Sequence, residues 1–393
     1  MLDKLISWEL DSLYFRLEGD QRKDILKSQM DEHLIWQEQA KEALIDAVVN
    51  SLNVITQNKG PLGVFLFTWP SGVGKTESAR ALARVLLGDE NGITLIHGEQ
   101  LTEQHTAGNL FGSPKWYVGY GDLSLLSKLI YEPYEKALKK KTICPFIKRF
   151  WGFNIIVIDE IDKCHPKVIQ TLLGAIDDWV VHLPDGKTIL DFSTSIFIFT
   201  SNHWMAEARD IDDKHSIGFV PKTTEDKSKA KRVALNRSLK QFSPEMMNRI
   251  HKTVHFDVLN NEDLLQIVGK YINRINEALA KVGEENFPKI NMVITKELAD
   301  HVIKEWTENG KGTRWVIRFF KDKVESLLGA FINSSPEFEK YCDYEIETCG
   351  HIIKDEIVFW FSKDWMKPKP PKPPTNIIPL DTQPLGRPKW PVE

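Results

Sequence analysis

Near the start of the sequence, an apolar run of strand type leads into a glycine-containing turn and then into a helical pattern. Val64 to Phe67 form the run, the turn ends Gly74-Lys75-Thr76, and Glu77 to Arg84 has helical composition. In such a unit the loop N–H groups and the helix N-terminus cradle phosphates, the lysine contacts them, and the threonine hydroxyl binds Mg²⁺. The stretch therefore predicts a nucleotide site, although the loop pattern requires glycine where Trp69 stands.

The residues of this loop predicted to contact the nucleotide are Ser71, Gly72, Val73, Gly74, Lys75 and Thr76. Thr76 is also a predicted metal ligand, because its hydroxyl follows the lysine directly.

Short apolar runs of strand type recur between helical stretches. They cover residues 64–67, 93–96, 154–158, 195–200 and 253–256. This alternation predicts an α/β fold with a parallel sheet covered by helices on both faces. After the last run, helical patterns at 261–279, 295–308 and 314–332 and a strand-rich end predict a second, smaller α+β domain.

We predict four segments along the chain. A helical approach segment covers residues 1–30, the large α/β nucleotide-binding domain 31–256, the small C-terminal domain 257–362, and a proline-rich, disordered tail 363–393.

Composition argues against several classes of protein. A net charge of −4 gives no general basis for binding nucleic acid or a membrane surface. The four cysteines form no C-x-x-C pair, which argues against a zinc site and suits a reducing compartment. No stretch approaches the roughly 20 apolar residues of a membrane span. We therefore expect a cytoplasmic protein with no membrane partner.

Two further runs end in polar side chains. Asp159 and Glu160 follow the apolar residues 155–158, and Asn202 follows the run 196–199 and two hydroxyl residues. Ligands bind at the carboxyl ends of strands in open α/β sheets. We predict that Asp159 holds Mg²⁺, that Glu160 orients and deprotonates the attacking water, and that Asn202 senses the γ-phosphate or the water. The alternative is an ordinary polar strand end or turn.

Together these motifs resemble the AAA+ module of the Clp family of ATP-dependent protein unfoldases. The similarity runs from about residue 34 to 332 and is strongest to the second ATPase module of two-ring members such as ClpA, ClpB and ClpC. Residues 159–166 resemble the extended Walker B segment, 242–250 the arginine-finger segment, and 312–314 the sensor-2 motif.

The resemblance implies roles for further residues. Arg249 would reach the γ-phosphate of a neighbouring subunit, and Arg314 the phosphates of its own subunit, so both count with the catalytic residues. Leu34 and Ile35 would line the adenine pocket. The resemblance implies a homo-hexameric ring that binds ATP and Mg²⁺. Without the other motifs, either arginine would be interpreted as half of a surface ion pair.

Two more segments resemble functional loops of the family. Tyr117, Val118 and Gly119 resemble the pore loop that grips substrate, since an aromatic ring beside a small apolar residue can contact a threaded chain of any sequence. The alternative is a hydrophobic patch. Ile217, Gly218 and Phe219 resemble the tripeptide by which protease-coupled members dock on the ClpP peptidase. The alternative is that the two apolar side chains pack back onto the domain.

Tryptophan stands where the family has glycine at several unrelated positions. They are Trp36, Trp69, Trp116, Trp179 and Trp204. A genuine Trp69 would crowd the phosphates and favour a catalytically inactive scaffold. The charged site residues are all intact, however, and decay would also strike those. We favour the hypothesis that these positions are UGA codons of a lineage that reads UGA as glycine, translated here as tryptophan.

The expected function is ATP-dependent unfolding and translocation of unfolded or tagged proteins, as a chaperone or as the regulatory ATPase of a ClpP-like protease. The alternatives are a nucleic-acid-directed AAA+ motor or loader, against which the net acidity and the pore loop stand, and an inactive scaffold. For the lysine-rich insertion at 131–152, a solvated basic face is favoured over an anionic partner. Whether the chain is a one-ring protein or a fragment of a two-ring protein stays open.

Overall fold

The computed structural model describes residues 19–34, 37–52, 60–68, 72–103, 106–112, 124–148, 150–183, 187–202, 242–256, 260–282, 289–293, 295–309, 313–334, 344–353, 356–361 and 367–368. The chain divides into two compact units. The first comprises Met1–Gln266 and Gly310–Arg314, and the second Ile267–Asn309 and Trp315–Glu393. No helix among the described residues is long and apolar enough to cross a membrane.

The first unit alternates helices and strands. In its described part the helices are α1 (Gly19–His33), α2 (Glu38–Ser51), α3 (Lys75–Leu87), α4 (Thr106–Phe111), α5 (Leu125–Leu129), α6 (Glu132–Lys140), α7 (Pro166–Asp178) and α8 (Pro244–Arg249). The strands are β1 (Gly63–Thr68), β2 (Thr94–His97), β3 (Asn154–Asp159), β4 (Val180–His182), β5 (Ile189–Asp191), β6 (Ser195–Ser201) and β7 (Lys252–His255). Short 3₁₀ helices cover Gly98–Leu101, Pro145–Ile147 and Ile161–Lys163.

The central sheet has five parallel strands in the order β2-β3-β6-β1-β7. The three inner strands are near-continuous apolar runs and are buried almost throughout, as expected for a parallel sheet covered on both faces. In register, Thr68 lies beside Ser201, and His97 lies beside Asp159. The polar residues that end these strands therefore meet at one edge of the sheet.

Alternating side chains of each strand enter two separate cores, because successive residues of a strand point to opposite faces. Phe65 and Phe67 of β1 pack in a core with residues of α2 and α3, whereas Val64 and Leu66 pack with residues of α7. The predicted α/β fold with a parallel sheet flanked by helices is confirmed. Each of the five predicted runs falls within a strand or overlaps one.

The second unit combines helices with a small sheet. Its described elements are most of α9 (Asn261–Val282), β8 (Lys289–Val293), α10 (Lys296–Asn309), most of α11 (Thr313–Phe319), a π-helix (Phe320–Glu325), α12 (Ser326–Ser334), β9 (Tyr344–Ile353), β10 (Glu356–Phe361) and β11 (Lys367–Pro368). In the sheet, β9 pairs antiparallel with β10 and β11 and parallel with β8. This agrees with the predicted α+β character.

Several details of the second unit differ from the sequence predictions. The single helix predicted over 314–332 is three segments, because the π-helix separates α11 from α12. The strand β8 was not predicted. Lys367 and Pro368, which lie inside the predicted proline-rich tail, pair with Glu345 and Tyr344.

Candidate nucleotide site

The glycine-containing turn delivers the chain from β1 into the N-terminus of α3. Gly72 and Gly74 both have positive φ, 81° and 99°, a conformation that glycine adopts at little cost. Gly74 is the cap of α3, and Lys75 is the first helical residue. The first N–H groups of this 13-residue helix therefore open toward the turn, which is the arrangement that binds phosphate.

Lys75 is a buried cation at the carboxyl edge of the sheet, with 6% of its surface exposed. Its Nζ donates to the backbone carbonyl of Ser201 at 2.7 Å and also to Oδ1 of Asn202. Burial lowers its pKa to about 8, and the negative charge of Asp159 opposes that shift. A phosphate beside Nζ would act in the same direction as Asp159 and favour the charged ammonium.

The two carboxylates at the end of β3 are held by β6. Thr200 Oγ1 donates to Asp159 Oδ1 at 2.5 Å and accepts from the backbone N–H of Glu160 at 2.9 Å. His97 Nδ1 lies 3.9 Å from Asp159 Oδ2. One hydroxyl thus fixes the positions of both predicted acidic residues relative to the neighbouring strand.

Glu160 turns away from the strand direction, because its φ of 60° lies in the left-handed region. Its Oε1 accepts from Asn202 Nδ2 at 2.5 Å, and its Oε2 lies 2.7 Å from Nζ of Lys163. The bond to Lys163, followed by the bond to Asn202, lowers the pKa of Glu160 against the opposing effect of burial. Asn202 consequently connects Lys75 to Glu160, and the predicted lysine, sensor and base form one polar network.

The donors at this edge fit a magnesium ion that is completed by phosphate. Among the described residues, no group of three or more His, Cys, Asp or Glu side chains could hold a metal ion without other ligands. The predicted oxygen ligands are the carboxylate of Asp159 and the hydroxyl of Thr76, a residue that is half-buried. Mg²⁺ is commonly bound by one or two carboxylates plus substrate phosphates rather than by an all-protein cage.

Comparisons with known proteins identify the family to which this chain belongs. Residues 60–253 match the family described as AAA domain (Cdc48 subfamily). The chain is 31% identical over 317 residues to the ATP-dependent Clp protease ATP-binding subunit ClpC of Staphylococcus aureus strain USA300. It is 30% identical over 317 residues to the protein of the same name in Staphylococcus epidermidis strain ATCC 12228. The chain belongs to the Clp family of AAA+ proteins.

In both comparisons the similar region covers 80% of this Clp-family chain and 35% of the relative. The chain therefore spans about a third of the length of the relatives it matches. The predicted family is confirmed.

Arg249, the predicted arginine finger of this Clp-family chain, lies at the end of α8 and binds a carboxylate of its own chain. Its Nε donates to both carboxylate oxygens of Asp177 at 2.7 Å, and its Nη1 donates to the Glu245 carbonyl at 2.8 Å. The hydrogen bond to the Asp177 carboxylate raises the pKa of the guanidinium. The described contacts of Arg249 are with these two residues and not with the glycine-containing turn before α3. Its role across a subunit boundary therefore stays a prediction.

Arg314 and Leu34 occupy different environments. Arg314 is the second residue of α11 and counts with the first unit, where its positive charge contributes to lowering the pKa of Lys75. Leu34 is 1% exposed and packs in the core beside α2, so it presents almost no surface to a base. The nearby Gln37 Nε2 donates to the carbonyl of Val73 in the phosphate loop at 3.4 Å. The assigned roles of Arg314 and Leu34 stay predictions.

The remaining predicted site residues lie outside the described residues. They are Ile35, Ser71, the pore-loop residues Tyr117, Val118 and Gly119, the docking residues Ile217, Gly218 and Phe219, and the tryptophans Trp36, Trp69, Trp116 and Trp204.

The fifth tryptophan, Trp179, is described, and its backbone is of the kind that glycine adopts. It ends α7 in the left-handed region with a φ of 45° and donates its N–H to the Ala175 carbonyl at 3.0 Å. Helices commonly end in this way with glycine, because a Cβ makes the left-handed region costly. A bulky residue there is an outlier. This geometry supports the hypothesis that position 179 is glycine in the native protein.

Sequence reasoning missed three residues that contact the site: Lys163, Glu99 and Thr200. Lys163 was available in the sequence, since it stands three residues after Glu160 inside the extended Walker B segment and has the opposite charge. Glu99 gave no signal, because its contact with Lys163 joins residues 64 positions apart.

Proposed function

We propose that this chain binds Mg²⁺–ATP at the carboxyl edge of its sheet, hydrolyses it, and uses the reaction to unfold and translocate protein substrates. The observation that carries the proposal is a polar network in which Lys75 is hydrogen-bonded to Asn202 and Asn202 is hydrogen-bonded to Glu160. It joins a buried cation suited to a phosphate to a carboxylate suited to a water molecule. The membership in the Clp family supports the same reading.

In the proposed reaction the turn around Gly74 and the N-terminus of α3 bind the phosphates, and Lys75 contacts them through its ammonium. When bound by Asp159 and Thr76, Mg²⁺ would supply positive charge to the phosphate oxygens. Glu160 accepts a proton from water as the water oxygen bonds to the γ-phosphorus. The bond from that phosphorus to the bridging oxygen breaks, and ADP and phosphate are the products. Asn202 orients the water or the γ-phosphate.

Coupling to protein unfolding rests on the sequence resemblance and on the relatives. The relatives are named as ATP-binding subunits of a Clp protease, which supports a peptidase partner of the ClpP kind. We propose a homo-hexamer in which Arg249 acts across the subunit boundary, Tyr117 and Val118 grip the substrate, and Ile217 to Phe219 dock on the peptidase. A cytoplasmic location belongs to the same proposal.

The nucleic-acid alternative gains little from the basic insertion. Lys136 Nζ lies 2.6 Å from a Glu132 carboxylate oxygen, and Lys140 Nζ lies 3.7 Å from one of Asp89. Two of its lysines are therefore already near carboxylates of the chain, which reduces the positive field available to a phosphate backbone. Tight, salt-sensitive binding of single-stranded DNA would favour that alternative.

The test is ATP-dependent unfolding of a tagged fluorescent protein by the chain as written and by its Trp69→Gly form. We expect the glycine form to hydrolyse ATP and unfold the reporter, and a ClpP-like peptidase to degrade it. Hydrolysis without unfolding would limit the proposal to an ATPase. If neither form binds nucleotide, the inactive scaffold is the better account.

A further inference from the structure

The backbone of Glu160 is held by two neighbouring segments, one on each side. Its N–H donates to Thr200 Oγ1 at 2.9 Å. Its carbonyl packs against Gly98 so closely that a Cβ on Gly98 would lie 2.2 Å from the carbonyl oxygen. The neighbouring segments thus determine where the Glu160 side chain begins, and the direction of the carboxylate depends on what binds its two oxygens.

Lys163 is built into the same turn as Glu160. The 3₁₀ helix Ile161–Lys163 begins directly after Glu160, and the Lys163 N–H donates to the Glu160 carbonyl at 3.0 Å. Residues three apart eclipse one another in such a helix, which places the two side chains together. Lys163 Nζ lies 2.7 Å from Glu160 Oε2 and also contacts the carboxylate of Glu99.

Glu99 holds Lys163 from a second element. It lies in the 3₁₀ helix Gly98–Leu101, which follows β2, whereas Lys163 follows β3. The side chains become less exposed toward the site, from 64% for Glu99 and 43% for Lys163 to 24% for Glu160. Lys163 is therefore held between two carboxylates that come from neighbouring strand ends, with Glu160 the inner one.

The two oxygens of Glu160 have partners of different kinds. Oε1 is bonded to Asn202, which in turn contacts Lys75, whereas Oε2 is bonded to Lys163. If ATP binds as proposed above, its phosphates compete for Lys75 and Asn202. Lys163 contacts Glu99 and Glu160 rather than Lys75 or Asn202, so the bond to Oε2 can persist while Oε1 is released.

We propose that Lys163, held by Glu99, is a positioning residue for ATP hydrolysis: it anchors Oε2 of Glu160 so that Oε1 faces the attacking water. The inference rests on the proposed function and deepens it. The competing account is an exposed ion pair without consequence, since many such pairs contribute nothing measurable. The two accounts differ in the turnover number, because an unanchored base spends less time in the productive geometry.

The test uses steady-state ATP hydrolysis and fluorescent-nucleotide binding by the full chain, built on whichever residue at position 69, tryptophan or glycine, is more active. Lys163→Met keeps the apolar stem and removes the ammonium. We expect about a tenfold fall in kcat with KM and nucleotide affinity within about twofold, because a displaced catalytic group loses rate rather than binding. Lys163→Arg should retain the anchor and most of the rate, and Glu99→Gln should lower kcat by about threefold.

Lys136→Met is the matched control, because Lys136 forms a comparable exposed ion pair with Glu132 at 2.6 Å on α6. It should leave kcat unchanged. A double-mutant cycle adds the route of action: in a Glu160→Gln background, Lys163→Met should cause no further loss. A merely structural role would instead lower the melting temperature and act equally in both backgrounds.

The outcomes separate this inference from the proposed function. Normal kcat in Lys163→Met, with hydrolysis by the parent protein, would overturn the inference and leave the function standing. An equal loss in Lys163→Met and Lys163→Arg would also overturn it, because the arginine can form the same bond. If the parent hydrolyses no ATP in either form, the proposed function fails and the inference fails with it.

Discussion

The carboxyl edge of the central sheet and the end of α7 differ in how well their residue types suit the local structure. At the sheet edge, Lys75, Asn202 and Glu160 are bonded to one another, and each residue type suits its place. At the end of α7, Trp179 has a backbone that favours a different residue type. The polar residue types of the proposed site are all present, although decay of an enzyme would also have replaced some of them, whereas the misfit concerns a single residue type. This difference favours a misread glycine codon over loss of function.

A second helix, α3, ends with the same kind of backbone geometry but has glycine at that position. Gly88 ends α3 with a φ of 73° and donates its N–H to the Arg84 carbonyl, four residues back. Trp179 ends α7 with the same bond, to Ala175, and the same left-handed region. The two helices use one kind of C-terminal geometry, with glycine in the first and tryptophan in the second. The backbone at 179 is thus what the chain forms elsewhere with glycine.

The largest expected effect is on ATP binding at the carboxyl edge of the sheet. Lys75→Met should lower ATP affinity by about 100-fold, a loss of about 2.7 kcal/mol, because it removes the buried cation that we propose contacts phosphate. Titration with a fluorescent ATP analogue measures it. Lys167→Met, on the exposed first turn of α7, is the control and should bind as the parent does. Unchanged ATP affinity in Lys75→Met would show that ATP does not bind at this edge of the sheet.

The next effect tests the helix end. Trp179→Gly should raise the free energy of unfolding by about 1 kcal/mol, because the left-handed region costs a residue with a Cβ about 1–2 kcal/mol and the half-buried ring gives part of that back. Urea denaturation measures the change in the unit that contains α7. Leu172→Gly is the control of opposite sign, because Leu172 is 1% exposed within α7. Destabilisation at both positions would show that tryptophan belongs at 179.

A direct reading of the codons complements that experiment. UGA at positions 36, 69, 116, 179 and 204, or a glycine mass in native peptides covering them, would confirm the misreading. UGG codons would contradict it.

The smallest effect concerns β1 and β7 and depends on pH. His251 Nδ1 accepts from the Val64 N–H at 3.2 Å, and burial lowers the pKa of the imidazole. The unfolded chain, with an ordinary histidine pKa of about 6.5, therefore binds the proton first as the pH falls. Stability should be fully present above about pH 6.5 and decline below it. The effect should be smaller than that at residue 179.

The measurement is urea denaturation at several pH values between 5 and 8. His251→Asn keeps an acceptor near the Val64 N–H and removes the titrating group, so its stability should vary less over this range. A parent and variant with the same pH dependence would exclude His251 as the cause.

Much of the first unit could be predicted from the sequence, because each central strand is a short apolar run with a polar residue at its end. Burial on both faces requires such runs, and the ends place Asp159, Glu160 and Asn202 together. The order β2-β3-β6-β1-β7 does not follow from the alternation alone. Strand order depends on long-range pairing, which leaves no periodic signal in the sequence.

Other features were hidden for local reasons. The hairpin of β4 and β5 has strands of three residues, too short for a pattern. The π-helix inside the predicted helix 314–332 contains neither glycine nor proline, so no breaker marks it. Trp179 could be identified as a departure from the family pattern, but only the backbone dihedral angle shows that glycine suits the position.

We propose that Lys75, Asn202 and Glu160 together carry ATP hydrolysis. ATP turnover and ATP binding by the full chain and by Glu160→Gln test this, because the glutamine keeps the side-chain shape and removes the base. We expect turnover to fall at least about 100-fold while ATP affinity stays within about threefold. Undiminished turnover in Glu160→Gln, or a parent chain that binds no ATP with glycine at position 69, would contradict it.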